Sequence, residues 1–191
     1  MLDHLVTHEE WETDWSGREE RYELIDGIPL MVPPERGDNY DATSMVMIRL
    51  VRVLGEAWSY QQGNSIRIAW EPLLTYRIPD LLIQPADAPR EPPLDPAHVA
   101  LVVEALSPST RADDLGRTRR DYASVHIPNY LIIDREGSPR LTLLTDPVDG
   151  DYRQVAGGDS VTVRIARPGH HPLCLRDHPV SLQRQRSFHV D

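Results

Sequence analysis

Apolar residues recur with two different periods along the chain, and the switches between them mark the expected elements. Residues 7–17 read as a short helix. Thr7 is a natural N-cap, Glu9 and Glu10 stand in the first turn where carboxylates complement the helix dipole, and Trp11 and Trp15 share a face. The runs RYELID and IPLMVP, separated by Gly27, have the spacing and turn chemistry of a hairpin that Pro33 and Pro34 end. Across residues 42–59, Met47, Ile48, Val51, Leu54 and Trp58 recur at helical steps, predicting an amphipathic helix laid on a sheet with Asp41 as its cap.

Beyond Gly63 the run SIRIAW alternates as a strand does, and YRIPDLLIQ reads as another strand whose Pro79 implies an edge or a bulge. The proline-rich residues 85–96 form a loop. VALVVEALS is apolar at nearly every position, as a strand covered on both faces would be, and carries one charge, Glu104. ADDLGRTRRDYASV then reads as a helix ending before Pro128, and NYLIID as a strand. Strand, helix and strand within residues 99–134 imply a right-handed crossover and a central parallel pair, with PRLTLLT, DYRQVA and VTVRIA as antiparallel strands. The final QRQRSFHVD lacks periodicity and reads as a frayed tail. The expected class is α/β (α+β): one domain over residues 1–191, with a mixed central sheet flanked by helices and additional antiparallel strands.

Composition narrows the setting. A chain of 191 residues suits one core. No apolar run approaches the roughly 18–20 residues that span a bilayer, the first residues are acidic where a secretory signal is basic then apolar, and the single cysteine, Cys174, has no partner for an internal disulfide. A cytoplasmic protein without a membrane segment is expected. Thirty acidic residues against twenty basic ones give a net charge of −10, so the overall field repels nucleic acid unless basic residues gather locally. All the basic residues are arginine, which GC-rich coding alone explains.

The acidic residues carry the candidate chemistry. A carboxylate at Glu104, inside an apolar strand, loses its hydration at a cost of several kcal/mol unless it is paired or binds a cation. An arginine ion pair and a metal or catalytic role both answer that requirement. Asp80 follows a proline at the start of a β-rich run and would otherwise be a turn residue; Glu23 lies within RYELID and would otherwise be a solvated strand position. Three such carboxylates converging would make an all-oxygen site for magnesium or manganese, a cation able to activate water against a phosphodiester. Other groups read more simply. His170, His171, Cys174 and His178 fit no common zinc spacing. Asp113 and Asp114 could add ligands but look more like dipole partners at a helix start, Asp134 looks like a turn residue, and Ser107, Ser109 and Thr110 look like helix-capping residues.

Taken in order, RYELIDG, IPDLLIQ, VVEALSPSTRADDLG and YASVHIPNYLIID resemble the Uma-two family, a PD-(D/E)XK-like group of restriction-endonuclease relatives, over residues of about 10–182. The resemblance implies a restriction-endonuclease-like core and a metal-dependent endonuclease acting on DNA, with Glu23, Asp80 and Glu104 at the family's acidic positions as magnesium or manganese ligands. A homodimer is the expected assembly, because a duplex requires two cuts. One position departs from the pattern: the family's lysine, four residues before the tyrosine matched by Tyr122, is Thr118 here. Arg117, Arg119 and Arg120 surround it, and with Arg111 they are the candidate phosphate contacts. Their guanidinium groups supply charge but no base, and a solvated helix face is the simpler alternative. A family histidine near the start of the helix over residues 42–59 is also absent, its place taken by Asn39, Tyr40 and Asp41. Such a chain either cleaves DNA or keeps the nuclease fold as a binding or oligomerising module.

Overall fold

The computed structural model describes residues 4–32 and 37–166 in full, and the backbone of residues 176–181. The segment of His170, His171, Cys174 and His178 and the terminal QRQRSFHVD therefore fall outside the fully described residues. Thr7 caps α1 (His8–Glu10) through a reciprocal capping box with Glu10, and the helix continues as a π-helical turn over Trp11–Trp15. Strands β1 (Tyr22–Ile25) and β2 (Ile28–Met31) form the expected hairpin. Its two-residue turn holds Asp26 at φ 50° and Gly27 at φ 76°, the left-handed conformation that glycine adopts at least cost. Trp11 and Trp15 close one end by packing edge-on against Tyr76 and Tyr22.

The long helix α2 spans Gly37–Leu54, five residues earlier than its periodicity suggested. Asp41 lies within it, and Trp58 begins strand β3 (Trp58–Gln61) after a 3-10 turn. The buried stripe is Asn39, Ala42, Thr43, Val46 and Leu50; Met47 and Leu54 flank it, while Ile48 and Val51 face outward. The expected stripe was rotated because small residues, Ala42 and Thr43, make the close approach to the sheet that bulky ones cannot. Strands β4 (Ile66–Ala69) and β5 (Thr75–Arg77) join the hairpin in a four-stranded antiparallel sheet of order β2-β1-β5-β4.

The run YRIPDLLIQ is two strands. The chain leaves the first sheet after Arg77, passes through Ile78, Pro79 and Asp80, and enters a second sheet as β6 (Leu81–Pro85). Pro79 thus marks a change of sheet, where its missing N–H breaks no ladder. Next come β7 (Leu101–Ala105), helices α3 (Arg111–Leu115) and α4 (Arg117–Ser124) divided at Gly116, and β8 (Asn129–Ile133). β7 and β8 pair in parallel, as expected. With β9 (Leu141–Val148) and β10 (Asp151–Gly158) they form a mixed six-stranded sheet of order β10-β9-β8-β7-β6-β3. VTVRIA becomes β11 (Ser160–Ile165), which pairs with β12 (Arg176–Ser181) in a separate two-stranded ribbon.

Strand alternation divides the core. Leu81, Ile83, Leu101, Val103, Leu131, Ile133, Leu141 and Leu143 face Ala42, Val46 and Leu50 of α2 and Val161, Val163 and Ile165 of β11. Leu82, Val102, Tyr130, Ile132 and Leu144 face Tyr122 and Ala123 of α4. By the same parity Asp80 and Glu104 belong to the α4 face, at the end of the sheet where β7 delivers its chain to α3.

Candidate active site

The β6–β7 register decides what meets Glu104. Leu81 pairs with Val103, Leu82 with Val102 and Ile83 with Leu101, so one further step sets Asp80 opposite Glu104. Like charges directly opposite on neighbouring strands are unfavourable, and a fold selected for stability alone avoids them. The two residues also bind across the strands. The Asp80 N–H donates to Glu104 Oε2 at 3.2 Å, and the Ala105 N–H donates to Asp80 Oδ2 at 2.7 Å. Tyr122 O–H donates to Glu104 Oε1 at 2.7 Å.

Burial and neighbouring anions act together on these groups. Burial first, then the charges of Asp80 and Asp114, raises the Glu104 carboxyl well above the ordinary range. Asp114, buried on α3, is pushed up to about 7 by burial and by Asp80, Asp113 and Glu23, against a hydrogen bond from Thr110. Asp114 is thus a member of the acidic centre, the role that the sequence reading ranked below a dipole partner. Two adjacent aspartates on a helix look alike in sequence, and only the packing of α3 shows that Asp114 turns inward while Asp113 stays half-exposed.

Glu23 is brought to the same side of the molecule but engaged elsewhere. Its Oε1 accepts from Ile78 N–H at 2.9 Å, and its Oε2 from Arg77 Nη1 at 2.9 Å. Arg77, almost wholly buried at the last position of β5, also donates from Nη1 to Asp113 at 2.7 Å and from Nε to Asp121 at 2.8 Å. Although burial works to lower the Arg77 pKa, Glu23, Asp121 and Asp113 raise it further, so the cation is permanent. Burial raises the Glu23 carboxyl despite Arg77. Arg77 was not among the expected site residues. Its signal was a charge inside a β-rich run three residues before Asp80, the same kind of signal that singled out Glu104.

Thr118, at the position of the missing lysine, is buried, and its hydroxyl donates to Asp113 Oδ2 at 3.1 Å, joining the Arg77 network. The four expected phosphate-binding arginines spread over three places. Arg117 pairs with Asp26 at 2.8 Å and lies near Asp121; Arg119 pairs with Asp151 at 2.5 Å, with Arg120 close to the same carboxylate. Arg111 pairs with Asp134 at 2.6 Å beside a cavity of about 390 Å³, which Asn39, Ser107 and Arg135 also line. Asn39, near the family histidine's place, donates its amide to the carbonyls of Ala105 and Leu106, tying α2 to the end of β7. Ser107 and Thr110 bond each other's backbone N–H reciprocally and so fix the turn after β7, and the α3 N-cap Thr110 makes no side-chain capping bond.

Among the described residues, no three histidine, cysteine, aspartate or glutamate side chains gather into a group fit by itself to hold a metal ion. Magnesium asks for less, since it commonly takes one or two carboxylates and completes its shell with water and substrate phosphate. The facing, mutually repelling carboxylates of Asp80 and Glu104 match that demand, and the hydrogen bonds to both oxygens of Glu104 and to Asp80 Oδ2 still leave lone pairs on each carboxylate.

Comparison with known proteins bears on the family and the fold. A family model, Uma2, described as "Putative restriction endonuclease", matches residues 6–170. The fold resembles a crystal structure described as that of "a putative nuclease belonging to DUF820" from Anabaena variabilis ATCC 29413. That match has a TM-score of 0.53 and 15% identity, and covers 73% of this chain and 77% of that one. No curated protein matches. The family match extends from the capped first helix to beyond β11 and takes in every strand and helix that builds the acidic centre. The chain therefore belongs to the Uma2 family of putative restriction endonucleases.

Proposed function

We propose that the chain is a divalent-metal-dependent endonuclease that hydrolyses DNA phosphodiester bonds, with Asp80 and Glu104 as the side-chain ligands of a magnesium or manganese ion. The carrying observation is the pair itself: two carboxylates opposed across β6 and β7, one buried, both raising the energy of the other until a cation arrives. When bound there, the ion would neutralise phosphate charge and lower the pKa of a water. Asp114 adds negative charge that favours the cation. Glu23 acts at one remove, holding Arg77 and the Ile78 N–H so that the chain enters β6 with Asp80 in register. Arg117 and Arg119, at the rim, meet the phosphate backbone together with Arg111 and Arg120, and a homodimer would present two centres to a duplex.

A second reading has one observation behind it. Thr118 brings a hydroxyl, not a cation, and that hydroxyl is spent on Asp113. On this reading the chain keeps the nuclease fold as a binding or oligomerising module. Among the described residues no helix is long and apolar enough to cross a membrane, which either reading accommodates.

Incubation with supercoiled plasmid separates the two. Nicking that requires manganese or magnesium, stops with chelator and is lost in Glu104→Gln is the expected result. Glutamine keeps an acceptor for Tyr122 while removing the charge. Equal nicking by wild type and variant overturns the assignment, and no nicking by either favours the second reading.

A further inference from the structure

The proposed reading leaves unexplained why Glu104 is held by a tyrosine. Tyr122 O–H reaches Glu104 Oε1 at 2.7 Å with both residues buried, and no water competes for a bond made in that interior. Among the described residues, the other oxygen has the longer 3.2 Å bond from Asp80 N–H. Without the tyrosine, that weak bond would be left to oppose rotation of the carboxylate about its last side-chain torsion.

The tyrosine is itself held. Its ring meets Tyr130 edge-to-face at 5.2 Å and 75°, and Tyr130 O–H donates to the Asp114 carbonyl at 3.1 Å. Tyr130 in turn packs against Tyr152, whose hydroxyl donates to the Ile127 carbonyl at 2.9 Å. Tyr122 and Tyr130, stacked under α3 and α4, therefore bond Glu104 by its side chain and Asp114 by its backbone, while the Tyr152 hydroxyl bonds neither.

We infer that Tyr122 is a positioning residue of the acidic centre: its hydroxyl locks one oxygen of Glu104, turning the other toward Asp80 so that the pair is set for a divalent cation before the cation binds. This rests on the metal reading above. Residues that bond a metal's ligands are commonly worth about 10- to 100-fold in affinity or activity.

The test is Mn²⁺ binding to the purified protein without nucleic acid, measured by calorimetry for wild type, Tyr122→Phe and Tyr152→Phe, with the melting temperature of each. Phenylalanine preserves both rings. The expected result is a Mn²⁺ dissociation constant at least about tenfold weaker for Tyr122→Phe and unchanged for Tyr152→Phe, which loses a comparable buried hydrogen bond away from Glu104. In plasmid cleavage at subsaturating Mn²⁺ the same Tyr122→Phe change slows nicking, and added Mn²⁺ restores the rate. If wild type binds Mn²⁺ and Tyr122→Phe binds it equally well, the positioning role is overturned while the metal site stands. A similar weakening in both variants also overturns it, because a general loss of packing then accounts for the effect. If wild type binds no Mn²⁺, the metal reading and this inference fall together.

Discussion

Asp114 offers a direct measure of the stress in the acidic centre. Its carboxyl has an ordinary value of 3.8 and stands at about 7 in the folded chain, through burial and then its acidic neighbours. A carboxyl whose folded pKa lies above the unfolded one binds more protons when folded, so stability is greatest at low pH and declines as pH rises between the two values. The gap corresponds to roughly 4 kcal/mol once the pH exceeds both, of which about 2–3 kcal/mol is expressed between pH 5 and pH 8. In Asp114→Asn that slope disappears, while the amide oxygen still accepts from Thr110. Glu104 contributes a slope of the same sign to both proteins and loses one repelling neighbour in the variant, which adds to the difference. For a chain of this size the variant should gain roughly 5–10 °C in melting temperature on wild type between pH 5 and pH 8. Scanning calorimetry in chelator across that range measures it. A melting-temperature difference that stays constant with pH would refute the reasoning, since the charge of Asp114 would then cost nothing.

Removing the buried cation should act in the opposite sense. Arg77→Met leaves Glu23, Asp113 and Asp121 without their shared partner and should cost about 3–5 kcal/mol in urea unfolding; a loss under 1 kcal/mol would show the network to be incidental. Thr118→Lys places an ammonium beside Asp113 in a buried position, so we expect about 1–3 kcal/mol of destabilisation from overpacking together with faster metal-dependent nicking per folded molecule. A folded Thr118→Lys protein that nicks no faster would show that Arg77 and Asp113 leave the lysine no route to the phosphate.

The parts of the fold set by local signals were legible in the sequence. The capping box at Thr7, the Asp26–Gly27 turn, and the parallel pair flanking a crossover helix all follow from residues close together in the chain. What escaped depends on partners far away. Nothing local says that YRIPDLLIQ changes sheets at Pro79, because each half is a good strand and only the pairing of Leu24 with Tyr76 and of Leu81 with Val103 separates them. The same limit governs the site. Glu104 stood out because an apolar strand surrounds it, and Asp80 because it opens the neighbouring run. Asp114 ranked lower, because a helix-start aspartate ordinarily serves the dipole, and the charge of Arg77 inside a β-rich run reads as one arginine among twenty until tertiary packing buries both.

Charge frames the remaining question of how a chain with a net charge of −10 would approach a polyanion. Arg111 is held by the largely buried Asp134, whereas Arg117 and Arg119 are held by exposed aspartates, Asp26 and Asp151. Exposed pairs of this kind are worth about 0–1 kcal/mol, so a phosphate displaces the aspartate at small cost and finds the guanidinium already extended. Arg77 differs, because it is buried with Glu23 and Asp121 packed against it, and their loss would strand its charge in the interior. Arg117 and Arg119 are thus exchangeable, and the interior Arg77 is fixed. Exchange releases carboxylates without removing them, however, and the acidic centre adds its own repulsion. On the proposed reading a divalent cation at Asp80 and Glu104 therefore reduces the field that opposes DNA at the place where a phosphate must arrive, and nucleic-acid binding should depend on the cation before any bond is cut.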